Sequence, residues 1–81
     1  MPEPDHRLRA LGATLRKARR DQDISQEVLA ERAGLHRNIV GRVEHGDRDV
    51  RVSTILKLID GLGLDAAEVF SAYDARRRSA D

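Results

Sequence analysis

Residues 25–46, SQEVLAERAGLHRNIVGRVEHG, decide how the remainder of this chain is read. They divide into two short helices about a tight turn at Ala33-Gly34-Leu35. Ser25 suits the position before the first helix, since its hydroxyl can accept from a free amide of the opening turn. Val28, Leu29 and Ala33 then fall at helical spacing and form one apolar face. Gly34 closes the helix, because glycine enters the left-handed region without steric cost. The second helix is expected over about 36–45, with Val40 and Val43 inward and Gly46 at its end. Its outer side carries Arg37, Asn38, Gly41 and Arg42.

On the amino-terminal side, Leu8, Leu11, Leu15 and Ala18 recur at steps of three and four and predict a helix over about 5–22. Asp5 caps it, and Arg7, Arg9, Arg16, Lys17 and Arg20 take its wetter faces. Residues 1–4 hold two prolines and are expected to be a disordered lead-in. Past Gly46, the charged loop Asp47-Arg48-Asp49-Val50-Arg51 leads to a helix over about 52–62. Val52, Ile55, Leu58, Ile59 and Leu62 are read as its inner side, with Ser53 or Asp49 as its cap. Asp65-Ala66-Ala67-Glu68 then reads as a capping box opening a fifth helix that runs to about Tyr73. Residues 74–81, with Arg76-Arg77-Arg78, lack apolar anchors and are expected to fray as a flexible tail. The expected fold is all-α: five short helices in one domain spanning 5–73.

Composition narrows the function. Eighty-one residues allow one domain, whose small size leaves its stability marginal. The chain has no cysteine, which excludes disulfides, thiol chemistry and cysteine-based metal sites. Apolar runs are too short for a membrane span, and the first residues lack the apolar core of a secretory signal, so a cytoplasmic protein is expected. The net charge is only +1, but all basic residues except Lys17 and Lys57 are arginine, whose planar fork suits phosphates and guanine edges. The serines have no histidine at meaningful spacing. His36 and His45 are nine apart, not the three or four that lets side chains share a metal. No enzyme, metal, cofactor or small-molecule ligand is therefore expected.

Two helices about a glycine turn, the second showing arginine and asparagine to solvent, have the layout of a DNA-reading helix-turn-helix. Ser25-Gln26-Glu27, Leu29-Ala30, Ala33-Gly34-Leu35, Val40, Val43-Glu44 and Gly46, followed by residues 55–64, resemble the lambda-repressor-like family of the Xre/Cro type. The resemblance covers about residues 8–70. Within the family, residues 37–64 and the short chain look most like controller proteins of restriction–modification systems. The resemblance implies an ion pair between Arg19 and Glu44, tying the first helix to the third. It also places Asp23 where relatives usually have glycine, in a left-handed position that aspartate tolerates.

The expected partner is double-stranded DNA. Arginine can donate two hydrogen bonds to guanine and asparagine can pair with adenine, so Arg37, Asn38, Gly41 and Arg42 are the candidate base contacts. Arg42 is equally suited to a phosphate. Gly41 either lets the backbone approach DNA closely or is unspecialised, and Ile39 is left open between a thymine methyl and ordinary exposure. Gln26, at the positive amino end of a helix, is the family's phosphate clamp. His36, His45, Arg48 and Arg51 are further phosphate candidates. One helix reads too few base pairs for specificity, so a homodimer on a two-fold symmetric operator is expected. Leu62, Leu64, Ala67, Val69, Phe70 and Tyr73 are the candidate dimer interface, although Phe70 and Leu64 also suit the edge of the monomer core. The resulting expectation is a transcriptional regulator. Phage-type repressors and antitoxin regulators are alternatives within that class, and a protein-binding helical module without DNA affinity is the alternative outside it.

Overall fold

The computed structural model describes residues 5–46 and 48–79. Five helices follow in order: α1 (His6–Asp21), α2 (Gln26–Ala33), α3 (Arg37–His45), α4 (Val52–Leu62) and α5 (Ala66–Ser79). The expected lead-in at 1–4 lies outside the described residues.

Local chemistry sets most boundaries. The Asp5 carboxylate accepts from the Arg7 amide at the start of α1, and the Ser25 hydroxyl accepts from the Val28 amide at the start of α2. Each bond satisfies an amide that the helix leaves unpaired. Between these helices Asp23 takes a left-handed φ of 55°, the one non-glycine residue of positive φ among those described. At α4 neither Ser53 nor Asp49 serves as the expected cap: Arg51 occupies the capping position without a side-chain bond. The Asp49 carboxylate instead accepts from the Val50 amide.

The core gathers one face from every helix. Leu15, Leu29, Ala30, Val40, Val43, Ile55, Leu58, Ile59, Leu62 and Val69 are buried, and Leu11, Ala18, Ile24, Ala33, Leu35 and Ile39 pack around them. Two expected core positions are corrected. Val28 is exposed, because the inner face of α2 is centred on Leu29 and Ala30. Val52 is 73 % exposed, standing at the first turn of α4 ahead of the stripe that begins at Ile55.

Two glycines let α1 and α3 approach. A Cβ on Gly12 would drive into the main-chain oxygens of Val43 and Glu44, the latter at 2.7 Å. Gly46 combines a φ of 69° with a backbone so close to α1 that a Cβ would lie 2.6 Å from the Cα of Arg9. The crossing therefore depends on glycine at both ends of the contact.

α5 departs most from expectation. It continues past Tyr73 to Ser79, so residues 74–79 are helical rather than a frayed tail. Asp74 accepts from the Arg77 guanidinium at 3.0 Å, and that guanidinium stands 5.9 Å from the Tyr73 ring centre. Arginines in a last turn also complement the negative end of the helix dipole.

Candidate nucleic-acid interface

The candidate reading surface is held from behind by a buried polar network. Arg19 of α1 and Glu44 of α3 are each 8 % exposed. The Arg19 guanidinium donates to both Glu44 carboxylate oxygens, at 2.7 and 3.0 Å, and to the Ile24 carbonyl at 2.8 Å. Gln26 donates its side-chain amide to the same carboxylate at 3.1 Å. Donating hydrogen bonds to Glu44 raises the Arg19 pKa above its ordinary value, against the opposing effect of burial. The Glu44 carboxylate thus ties α1 and the first residue of α2 to the end of α3, and Arg19 ties in the turn before α2. Fork-to-carboxylate bonding of this kind has strict geometry, so it sets orientation as well as distance.

In front of the network lies a polar concavity lined by Gln26, Glu27, Arg37, Asn38, Gly41, Arg42 and His45. The structure therefore brings all four candidate base-contact residues together with Gln26 on one exposed surface. His45 belongs to this concavity too, rather than to its flank. Arg42 also borders a second, smaller hollow with Ile39, Val43, Arg48, Asp49 and Val50. Ile39 is half-buried and packs against the core. Arg51 is exposed at the start of α4.

His36 has a role that its sequence position did not reveal. Its Nδ1 accepts from the Asn38 amide at 3.2 Å, so an imidazole does the work usually given to serine or aspartate at a helix start. The signal was its place directly before the helix, where a ring nitrogen suffices as acceptor.

Gly41 is not demanded by packing. A Cβ there would meet only the Gln26 side-chain amide, at 3.6 Å, an ordinary contact. Glycine in mid-helix costs about 1 kcal/mol relative to alanine, and nothing within the chain requires that cost.

The candidate dimer residues separate into two groups. Leu62 and Val69 are buried in the monomer core and are removed from the candidate interface. Ala67 is exposed, Leu64 and Tyr73 are half-buried, and Phe70 is 41 % exposed rather than finishing the core. Phe70 meets Tyr73 edge to face, with ring centres 6.3 Å apart. Leu56, 46 % exposed on α4, was missed because the reading of α4 concerned its inner side.

The chain is similar to several known proteins. A family model described as a helix-turn-helix domain matches residues 10–70. The control protein C.SmaI of Serratia marcescens is 36% identical over 61 residues, covering 75% of this chain and 73% of that protein. The crystal structure of the restriction–modification controller protein C.AhdI from Aeromonas hydrophila is 43% identical, with a TM-score of 0.73 over 78% of this chain and 96% of that one. The controller protein C.Esp1396I, solved as a tetramer in complex with its natural 35 base-pair operator, shares the fold at a TM-score of 0.83 and 20% identity. It covers 88% of this chain and 93% of its own. None of the described helices is long and apolar enough to cross a membrane. The chain belongs to the lambda-repressor-like helix-turn-helix family of DNA-binding regulators and is similar to the restriction–modification controller proteins within it.

Proposed function

We propose that this chain is a sequence-specific transcriptional regulator that binds a two-fold symmetric operator as a homodimer and controls restriction–modification genes. The observation that carries the reading is the concavity in which Arg37, Asn38, Gly41 and Arg42 converge beside Gln26, backed by a satisfied Arg19–Glu44 pair. α3 enters the major groove with its amino-terminal turn, where Arg37 and Asn38 stand. Arg37 serves guanine and Asn38 adenine, and Arg42 follows about a turn later. Gln26 and the free amides opening α2 hold a phosphate. His36, with His45, Arg48 and Arg51, supplies further backbone contacts.

Dimerisation uses α4 and α5 through Leu56, Phe70 and Tyr73, with Leu64 and Ala67 beside them. Two apolar side chains more than 40 % exposed on neighbouring helices are a cost to a lone monomer, which burial against a second copy removes. The operator complex of C.Esp1396I supports assembly on DNA as the mode of action for this fold. A methyltransferase gene and an endonuclease gene beside this one are expected.

Selection from random duplexes, followed by titration at several salt concentrations, tests the reading. The wild type should enrich a palindromic site and bind it with a steep salt slope. Arg37→Ala should relax preference at one base position per half-site, by about 1–3 kcal/mol of discrimination. Gln26→Ala should weaken all sequences alike. Salt-insensitive binding, or equal binding of every sequence, would overturn the proposal, and sedimentation showing only a 9.1 kDa species at micromolar concentration would overturn the dimer.

A further inference from the structure

A second charged surface lies outside the concavity. Ala13, Arg16, Lys17, Arg20 and Asp21 of α1 and Arg76 of α5 line one shallow pocket. Four cations and one carboxylate leave three net positive charges there, against +1 for the whole chain. The carboxylate is engaged: Lys17 donates to Asp21 at 2.7 Å. Among the described residues Arg16, Arg20 and Arg76 have no acidic partner. Arg76 is nevertheless half-buried, held against α1 by the turns of α5 that continue beyond Tyr73. Like charges brought together by the fold raise its energy unless an anion sits between them. Planar guanidinium forks suit the oxygens of phosphates and carboxylates, to each of which they can give two parallel hydrogen bonds.

The place of this surface on α1 favours bound DNA as the source of that anion. At about 100° per residue, Arg16 and Arg20 lie about 60° and 100° round α1 from Arg19, both on the same side. Arg19 belongs to the network that carries Gln26, one of the candidate phosphate clamps. The arginine surface therefore starts on the helix that anchors this clamp and extends away from it. We propose that Arg16, Arg20 and Arg76 bind phosphodiesters of the DNA running beyond each half-site, lengthening the footprint past the base pairs that α3 reads. This inference rests on the operator reading above. It gives the arginine-bearing end of α5 a purpose: its helical continuation delivers Arg76 to α1.

The test compares a duplex ending at the selected site with one extended by about ten base pairs on each outer side. Each phosphate neutralised contributes about 0.9 to the slope of log affinity against log salt, so three contacts steepen it by about 2–3 per protomer on the longer duplex. Arg16→Gln/Arg20→Gln/Arg76→Gln should bind the short duplex as the wild type does and lose the gain from extension. Arg16→Lys/Arg20→Lys/Arg76→Lys should keep most of the steeper slope, because charge is retained. A wild type indifferent to the extension, or a glutamine variant that keeps the full gain, overturns the inference and leaves the operator reading intact. Failure of the wild type to bind either duplex removes both.

Discussion

Replacing Glu44 by alanine tests the arrangement on which the reading surface rests. The substitution leaves Arg19, buried in the wild type, with only the Ile24 carbonyl as a partner, and deprives Gln26 of its acceptor. Breaking a buried pair on one side costs about 3–5 kcal/mol, because a desolvated charge is left uncompensated. At about 0.05–0.15 kcal/mol per residue, a domain of this size has about 4–12 kcal/mol in all, so the variant forfeits a large part of its stability. The melting temperature should fall by at least about 12 °C, at about 4–8 °C per kcal/mol. Arg19→Met/Glu44→Leu removes both charges together and should recover most of that loss, since apolar replacement of a buried pair is often neutral or better. The assay is urea unfolding followed by far-ultraviolet circular dichroism, at one fixed protein concentration so that self-association does not shift the midpoint. The double variant should nevertheless bind DNA weakly, because Gln26 has lost the carboxylate that orients it. A loss below about 1 kcal/mol for Glu44→Ala, the behaviour of an exposed pair, would refute the argument. So would wild-type DNA affinity in the refolded double variant.

Gly12→Ala and Gly41→Ala should have opposite effects on stability. The first sets a methyl against main-chain oxygens that cannot rotate away and should cost about 3 kcal/mol, measured by thermal unfolding. The second should stabilise by up to about 1 kcal/mol while weakening DNA binding, as its methyl projects into the reading concavity. Ser25→Ala should destabilise by about 1 kcal/mol through loss of the α2 cap, whereas Ser25→Asp should not. The Arg7 side chain and amide hold the Asp5 carboxyl below its ordinary pKa of 3.8. Its contribution is therefore complete above about pH 4 and lost as pH falls through the lower folded value. Melting curves of wild type and Asp5→Ala should accordingly converge in strong acid. A gap between them that widened toward acid would contradict the assignment.

Much of the fold was legible because the informative residues act on their own backbone. Ser25, Gly34 and Gly46 mark helix ends through a hydroxyl or a positive φ, chemistry that depends on a few neighbouring residues. The exposure of Arg37, Asn38 and Arg42 follows from their phase relative to Val40 and Val43, which periodicity states directly. The capping role of His36 was not legible because an imidazole is an unusual cap. The Arg19–Glu44 pair came from family resemblance, since residues 25 apart carry no local sign of meeting.

Tertiary structure decided what depends on which helix lies across a given face. Val28 and Val52 are as apolar as Leu29 and Ile55, yet no neighbouring helix covers them, so they remain outside. Leu62 and Val69 are inside while Phe70 is out, a division set by the directions in which α4 and α5 lean on the core. α5 extends to Ser79 because an ion pair, a ring contact and packing of Arg76 on α1 replace the apolar anchors that its sequence lacks. By itself the sequence determined the ends of α2 and α3 and which side of α3 faces outward, because those depend on short-range sterics and on a 3.6-residue period. Only the packed chain decided how closely α1 and α3 approach, which carboxylate holds Gln26 and where the arginines gather, because these require distant residues to share one space.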